Sequence, residues 1–306
     1  MIIRPETPAD YAEIARLLVS AFHEQMAEAV LVALLRQRAA YTPALALVAE
    51  IDGAIAGHAL FTPCTLQLMG EDVPAVLLAP LAVDTALQKR GIGTLLLEEG
   101  HRLAREGGAA VSLLLGHPSY YPRFGYQMQA FGTSTLQVDV HTLRPASPLE
   151  SLRLTEADVP MLMKLWEYEE AQVDFAFRPE VQLADWLSPN PQVAVTVYKR
   201  DGLIVGCTRI RQAEPAAPRF FLAADDDAAH TIAAHIAAAA GVTTVTLPLH
   251  PGCRSASTLG HARVETFDPA MALSLKPSPF DRYLAEVRAG QRLHGRPIWP
   301  PAFDLA

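Results

Sequence analysis

The sequence predicts a mixed α/β chain in which one structural unit occurs twice in tandem, and three segment matches carry that prediction. Ala46–Ile51 reads as an apolar strand, Asp52-Gly53 as a two-residue hairpin turn, and Ile55-Ala56-Gly57 as the start of the return strand. Val193–Tyr198, Asp201-Gly202 and Ile204-Val205-Gly206 repeat that order, with the two turns 149 positions apart. Near the start, the short strand Ile2-Ile3-Arg4 leads into Thr7-Pro8-Ala9-Asp10, where Thr7 suits a helix cap and Pro8 the first helical position. Leu152-Arg153-Leu154 and Thr155-Glu156-Ala157-Asp158 repeat this at an offset of 148. Apolar residues at helical spacing follow in both places: Ile14, Leu17, Leu18 and Phe22 in the first, Leu162, Leu165 and Trp166 in the second. A looser match pairs Phe124-Gly125-Tyr126 with Leu259-Gly260-His261, after a deletion of about 14 residues in the second copy. The boundary falls in Leu143-Arg144-Pro145-Ala146-Ser147-Pro148, dividing the chain into 1–145 and 146–306. Each part reads as strand, helix or helices, antiparallel strands, helix and a further strand.

Bulk properties agree with two domains. The chain has 306 residues, half of them hydrophobic and 19% charged, a globular composition. A net charge of −8 argues against a nucleic-acid partner held through its phosphates, which needs a surplus of Lys and Arg. Cys64, Cys207 and Cys253 lie far apart without metal-ligand spacing, as expected of core thiols in a reducing compartment. The N-terminus has acidic residues early and no long apolar core, and no run reaches membrane-spanning length. The expectation is a soluble, cytoplasmic protein with no membrane partner.

The chemically informative segment is 77–126. Leu77–Val83 reads as a buried strand carrying Pro80, which a central strand tolerates only at a bulge or splay. Gln88-Lys89-Arg90-Gly91-Ile92-Gly93-Thr94 follows, then Leu95, Leu96, Leu97, His101, Leu103 and Ala104 on an amphipathic helix ending near Gly107-Gly108. Strand, glycine turn and helix N-terminus form a generic anion site, because exposed N–H groups and the helix dipole attract phosphate oxygens. Lys89 and Arg90 add positive charge there. A dinucleotide fingerprint is excluded because Leu96 stands where its third glycine would be, and a Walker loop because no Gly-Lys-Ser/Thr is present. An ordinary connection, with glycines serving only the turn, is the alternative on this loop alone.

After a further strand at Ala110–Leu115 comes Gly116-His117-Pro118-Ser119-Tyr120-Tyr121-Pro122-Arg123-Phe124-Gly125-Tyr126. Together with Gln88-x-x-Gly91-x-Gly93, this resembles the GNAT superfamily of N-acetyltransferases over roughly residues 2–140, and most of all a branch of predicted acetyltransferases. The tandem layout is similar to the enhanced-intracellular-survival acetyltransferases and mycothiol synthase, which pair an active copy with a degenerate one. The resemblance implies two tandem GNAT-like domains, each a mixed sheet flanked by helices, with acetyl-CoA (coenzyme A) bound in 1–145. It places the pyrophosphate on Gln88, Lys89, Arg90, Gly91, Ile92, Gly93 and Thr94, and the thioester and pantetheine along Leu81, Ala82 and Val83. Tyr121, four residues before Gly125, becomes the general acid toward the leaving thiolate, since a phenol near pKa 10 is a proton donor at neutral pH. The acceptor is an amine of a small molecule, peptide or protein. A non-catalytic acyl-CoA-binding sensor is the alternative function.

The general base is open. His58 follows Gly57 on the return strand but suits a core or surface position better. His117 lies beside Tyr121, where the resembling branch often has Asp. The resemblance to the enhanced-intracellular-survival enzymes raises the C-terminal carboxylate of Ala306, and a water-mediated route needs no base residue. His23-Glu24 has no second His at zinc-motif spacing, and His230 and His235 are five apart, poor for one helix face. In the second copy, Leu222-Ala223-Ala224-Asp225-Asp226-Asp227-Ala228-Ala229 occupies the place of the loop. It lacks the glycine pair, and three carboxylates repel a pyrophosphate, so one Asp is expected to cap a solvated helix. This half is then expected to shape the acceptor pocket or to form a homo-oligomer contact. The Pro-rich tail is expected to pack Trp299 on the body.

Overall fold

The computed structural model describes residues 1–305. The chain opens with β1 (Ile2–Pro5), α1 (Tyr11–Ala21), α2 (Ala27–Leu35), β2 (Ala46–Ile51), β3 (Ala54–Leu68) and β4 (Glu71–Val83). It continues with α3 (Ile92–Glu106), β5 (Val111–Leu115), β6 (Gly132–Asp139), β7 (Glu150–Arg153), α4 (Val159–Glu169) and β8 (Phe175–Arg178). Then come β9 (Val193–Arg200), β10 (Leu203–Arg211), β11 (Phe220–Ala223), α5 (Asp226–Ala240) and β12 (Thr244–Leu247). The last elements are α6 (Ala256–Leu259), β13 (Arg263–Thr266), β14 (Ala270–Ser274) and α7 (Pro279–Arg288).

The repeat is visible at the level of single hydrogen bonds. Asp52-Gly53 and Asp201-Gly202 all have positive φ, the geometry of a two-residue hairpin turn whose twist suits its strands. Both return strands then carry an extra residue, Ala56 and Val205, because the pairing skips from Ile55 to Gly57 and from Ile204 to Gly206. The carbonyl of each extra residue accepts a backbone bond from just beyond the next strand: Asp84 N to Ala56 O at 2.9 Å, Ala224 N to Val205 O at 2.8 Å. The glycine after each extra residue sits under a helix. A Cβ on Gly57 would lie 3.0 Å from Ile92 and Leu96 of α3, and one on Gly206 would lie 2.3 Å from Ile232 of α5. The helix entries match as well. The Asp10 carboxylate accepts from Thr7 N and Thr7 Oγ1, and Asp158 does the same for Thr155.

The strands do not stay with their own copy. One sheet runs β1-β2-β3-β4-β5-β14, with β8 added to the far end of β3. Its last strand, β14, comes from the C-terminal half and pairs antiparallel with all of β5, from Ala270↔Leu115 to Ser274↔Val111. In return, β6 of the N-terminal half lies between β12 and β13. A four-stranded sheet, β11-β10-β9-β7, completes the second unit.

Each sheet face is covered by the apolar stripe of a helix. Leu96 and Leu97 of α3 pack on Leu47, Ala59, Phe61 and Leu78, while Ile14, Leu18, Val32 and Leu35 of α1 and α2 pack on Val48 and Leu60. Phe280 and Tyr283 of α7 cover the end of β3 with Leu66, Leu113 and Phe175. In the second unit, Leu162 and Trp166 of α4 and Ile232 and Ile236 of α5 enclose Val197 and Leu222, together with Leu136 and Val138 of the exchanged β6. Trp299 in the tail meets Phe131, Phe177 and Phe303 edge-on or tilted, which answers what the tail packs on. Cys207 and Cys253 are buried and Cys64 is half-buried, all three free. No helix among the described residues is long and apolar enough to cross a membrane.

One polar cluster ties β1, α2 and β3 together. Glu6 is 4% exposed and accepts from Arg36 Nε and Nη2 (2.7 Å each), from Tyr41 Oη (2.8 Å) and from His58 Nε2 (3.0 Å). Burial pushes the Glu6 carboxyl up, but the hydrogen bonds from Arg36 and His58 outweigh it and hold its pKa at about 2. Burial keeps the His58 imidazole neutral by lowering its pKa.

Two outcomes follow. Gly206→Ala puts a Cβ 2.3 Å from Ile232 Cδ1 and 2.7 Å from the Leu222 carbonyl oxygen, so urea unfolding should register a loss of about 1–3 kcal/mol. Because Glu6 is more acidic when folded than its ordinary 4.5, its contribution is complete above that pH and disappears as pH falls toward about 2. Glu6→Gln should cost about 3 kcal/mol at neutral pH. The stability gap to the unsubstituted protein should close between those two pH values in a urea series.

Candidate active site

The site starts where two strands part. β4 and β5 pair in parallel only from Ala75↔Val111 to Leu77↔Leu113. Beyond Leu77, β4 keeps β3 as its one strand neighbour as far as Val83, while β5 follows β14. Pro80 sits within this open stretch at the expected irregularity: Leu78 pairs with Phe61 and Leu81 with Ala59, so Ala79 and Pro80 together oppose Leu60. A residue without an N–H is tolerated there because the ladder is already interrupted. Leu81 and Val83 are half-buried, whereas Ala82 is buried with Val32 and Leu60 on the α1–α2 side. Only the backbone of Ala82 is therefore available to a ligand in the opening.

The loop after β4 leads straight to the N-terminus of α3. Asp84 accepts from Ala86 N at 2.8 Å, closing a helical turn over Thr85–Leu87. Gln88, Lys89, Arg90 and Gly91 are exposed, and the Gln88 side chain points back at the Val83 carbonyl at 3.4 Å. Gly91 is the residue before α3, with φ +84° and nothing within 4 Å of an added Cβ. A side chain there meets no steric block but forces a strained backbone. The first bond of the helix runs from Leu95 N to Gly91 O (3.1 Å), leaving the N–H groups of Ile92, Gly93 and Thr94 in the unpaired first turn. Gly93 is needed for a different reason: its Cβ would lie 2.7 Å from the Tyr120 hydroxyl. Tyr120 therefore lies over the first turn of α3.

Tyr121 stands on the other wall of the opening, where it and Leu77–Leu81 line one cavity. Its ring is edge-on to Tyr120 and Tyr126, 5.1 and 5.8 Å between centroids. Tyr126 is buried behind it, 2.6 Å from Ser112 Oγ and 2.9 Å from His101 Nε2. Burial pushes the Tyr121 phenol up to about 12, so it keeps its proton throughout the neutral range.

Of the histidines considered for the base, His117 is exposed on the cavity wall, and its carbonyl accepts from Tyr120 N at 3.0 Å. His58 has no exposure and belongs to the Glu6–Arg36–Tyr41 cluster, away from the cavity, so a role for it as base is ruled out. Ala306 lies outside the described residues.

The cavity measures about 690 Å³ and reaches well beyond the opened strands. Glu28 of α2 lines it, with Oε2 buried and without a partner. Arg209 of β10, Arg219 and the tail residues Arg296, Trp299 and Asp304 also line it. None of these six was legible as a site residue. They stand outside any motif: Glu28 comes from α2, and the other five reach the cavity from the C-terminal half.

The description "Acetyltransferase (GNAT) domain" fits residues 2–129. Over 131 residues the chain is 41% identical to the uncharacterized N-acetyltransferase YhbS of Escherichia coli, covering 42% of this chain and 75% of that protein. Two solved structures extend the likeness of fold further along the chain. A GCN5-related N-acetyltransferase from Anabaena variabilis has a TM-score of 0.71 at 13% identity, covering 90% of this chain and 73% of that one. Eis1 from Mycobacterium abscessus has a TM-score of 0.63 at 18% identity, covering 90% and 74%. The chain therefore belongs to the GNAT superfamily of N-acetyltransferases, as an acyltransferase with the fold of its multi-domain members over most of its length.

Proposed function

We propose that the protein moves the acetyl group of acetyl-CoA to an amine of a small molecule, peptide or protein, by direct attack of the amine on the thioester. The observation that carries this is the unpaired edge of β4 from Leu78 to Val83: its first residues line a cavity together with Tyr121, and the strand runs on into the glycine turn at the α3 N-terminus. In this reading Gln88–Thr94 hold the pyrophosphate through backbone N–H groups, with Lys89 and Arg90 adding charge. The backbone of Leu81, Ala82 and Val83 adds the pantetheine arm to the free edge of β4, much as another strand would, and N–H groups there stabilise the oxyanion. Tyr121, which burial keeps protonated, donates its proton or at least a hydrogen bond to the departing thiolate. His117, or water in the cavity, takes the proton lost by the amine.

The second copy plays another part. Asp225 caps α5 by accepting from Ala228 N at 2.8 Å, and Arg200 is paired with both Asp225 and Asp227. That helix N-terminus is already neutralised by its own chain, so the repeat unit 146–306 binds no coenzyme A and serves to wall the acceptor cavity. We assign the repeat units to 1–145 and 146–306, with β6 and β14 exchanged between them.

Gly91→Glu should abolish saturable acetyl-CoA binding in calorimetric titration, by straining the turn and adding a negative charge; unchanged affinity removes the loop from the site. Tyr121→Phe should lower turnover by about 100-fold, followed by thiol release, while acetyl-CoA affinity stays unchanged. Full turnover across an amine panel would remove Tyr121 from the mechanism.

A further inference from the structure

The part of the cavity wall contributed by the C-terminal half is cationic in a protein of net charge −8. Three arginines line the cavity, Arg209, Arg219 and Arg296, against two carboxylates, Glu28 and Asp304. Arg296 is 3% exposed. Its Nε donates to Ser134 Oγ at 3.0 Å, and its Nη2 to Glu170 Oε1 at 2.9 Å and Cys253 Sγ at 3.0 Å. Its Nη1 is buried with no partner in the protein. A guanidinium keeps its charge under all ordinary conditions, and a buried donor without an acceptor is costly, so this edge is built to receive one.

Arg209 and Arg219 have only one carboxylate between them. Arg219 Nη1 donates to Asp304 Oδ1 at 3.2 Å, while Arg209 Nε stands 3.5 Å from Asp304 Oδ2, too far for a good hydrogen bond. Both of those last atoms are buried and unsatisfied. The pair is left with an excess positive charge and a free donor beside the same cavity. None of these groups belongs to the loop proposed for the pyrophosphate, which lies at the start of α3.

We infer that the acceptor is an amine whose non-reacting end carries a carboxylate or a phosphate, held by Arg296 together with Arg209 and Arg219. Between the two ends, Leu77, Leu115, Ile298, Trp299 and Phe303 offer apolar wall for a hydrocarbon or aromatic spacer. The inference deepens the acetyl-transfer reading and rests on it for calling the occupant an acceptor.

The test uses matched probes on the full chain: aminocaproate against its amide, and tyramine phosphate against tyramine. Each is titrated calorimetrically and assayed by thiol release with saturating acetyl-CoA. The expected result is at least about tenfold higher kcat/KM for the anionic member of one pair or both, which also tells carboxylate from phosphate. Arg219→Gln, at a partly exposed side chain, and Arg296→Lys, which keeps the charge opposite Glu170, should each shrink that preference about tenfold through KM. They should leave acetyl-CoA affinity and the neutral probes unchanged. If acetyl-CoA binds but neither anionic probe binds or reacts better than its neutral partner, the inference is overturned and acetyl transfer stands. If the anionic probes bind and the arginine substitutions weaken them while acetyl-CoA does not bind, the anion site stands and the acetyl-transfer reading falls.

Discussion

The parting of β4 from β5 is the constraint on which the rest of the site depends. β5 is held along all five of its residues by β14 but by β4 through only three. Both strands are in the interior of the sheet, yet from Leu78 onward β4 has no partner on the β5 side. Backbone polar groups left inside a protein need partners, so an unpaired central edge is a standing demand for a ligand that can supply them. Pro80 belongs to the same device: it occupies a position opposite Leu60 where the ladder is already broken. Tyr121 lines the gap beside Leu77–Leu81, and β4 runs on from it to the turn at Gly91.

That gap depends in turn on the strand exchange. A β14 that stayed with its own copy would leave β5 as an exposed edge, and the tail that follows α7 would not cross the first sheet. As built, α7 buries Phe280 and Tyr283 against β3, and the segment after it runs back over the cavity. Tyr283 Oη both donates to Ala130 O and accepts from Gly295 N, so the tail is tied to the sheet at its start. The second unit thereby contributes arginines to the wall of a cavity that Tyr121 and β4 of the first unit also line. At the start of α5, Asp225 caps the helix and Arg200 pairs with Asp225 and Asp227, whereas the first turn of α3 has no such carboxylates.

Much of this was legible because it is local. The two Asp-Gly turns, the Thr-x-x-Asp helix entries, the glycine turn before α3, the misfit of Pro80 and the Asp cap of α5 are each decided within a few residues, by φ preferences and short hydrogen bonds. The resemblance in Tyr121–Tyr126 pointed to a residue on the cavity wall, and that in Gln88–Gly93 to the start of α3 beyond the end of β4. Less legible were the length of the β3–β4 hairpin, whose distal turn at Met69-Gly70 carries no strong turn dipeptide, and the place of His58. His58 suits a core or surface position in the sequence, but its buried partners Glu6 and Arg36, distant along the chain, are seen only in the structure.

By itself, then, the sequence determined the repeat, its turns and caps, the α/β class and the glycine turn before α3, because each is set by neighbours along the chain. Only the tertiary structure decided which strands pair and which residues line the cavity. β6 alternates buried and exposed residues all along its length, a pattern that demands one covered face but is the same whether β5 or the pair β12 and β13 lies alongside. Likewise Arg209, Arg219, Arg296 and Asp304 read as scattered charges. Their meaning comes from the free energy of enclosing them together, a sum over contacts from three distant parts of the chain that no local pattern encodes.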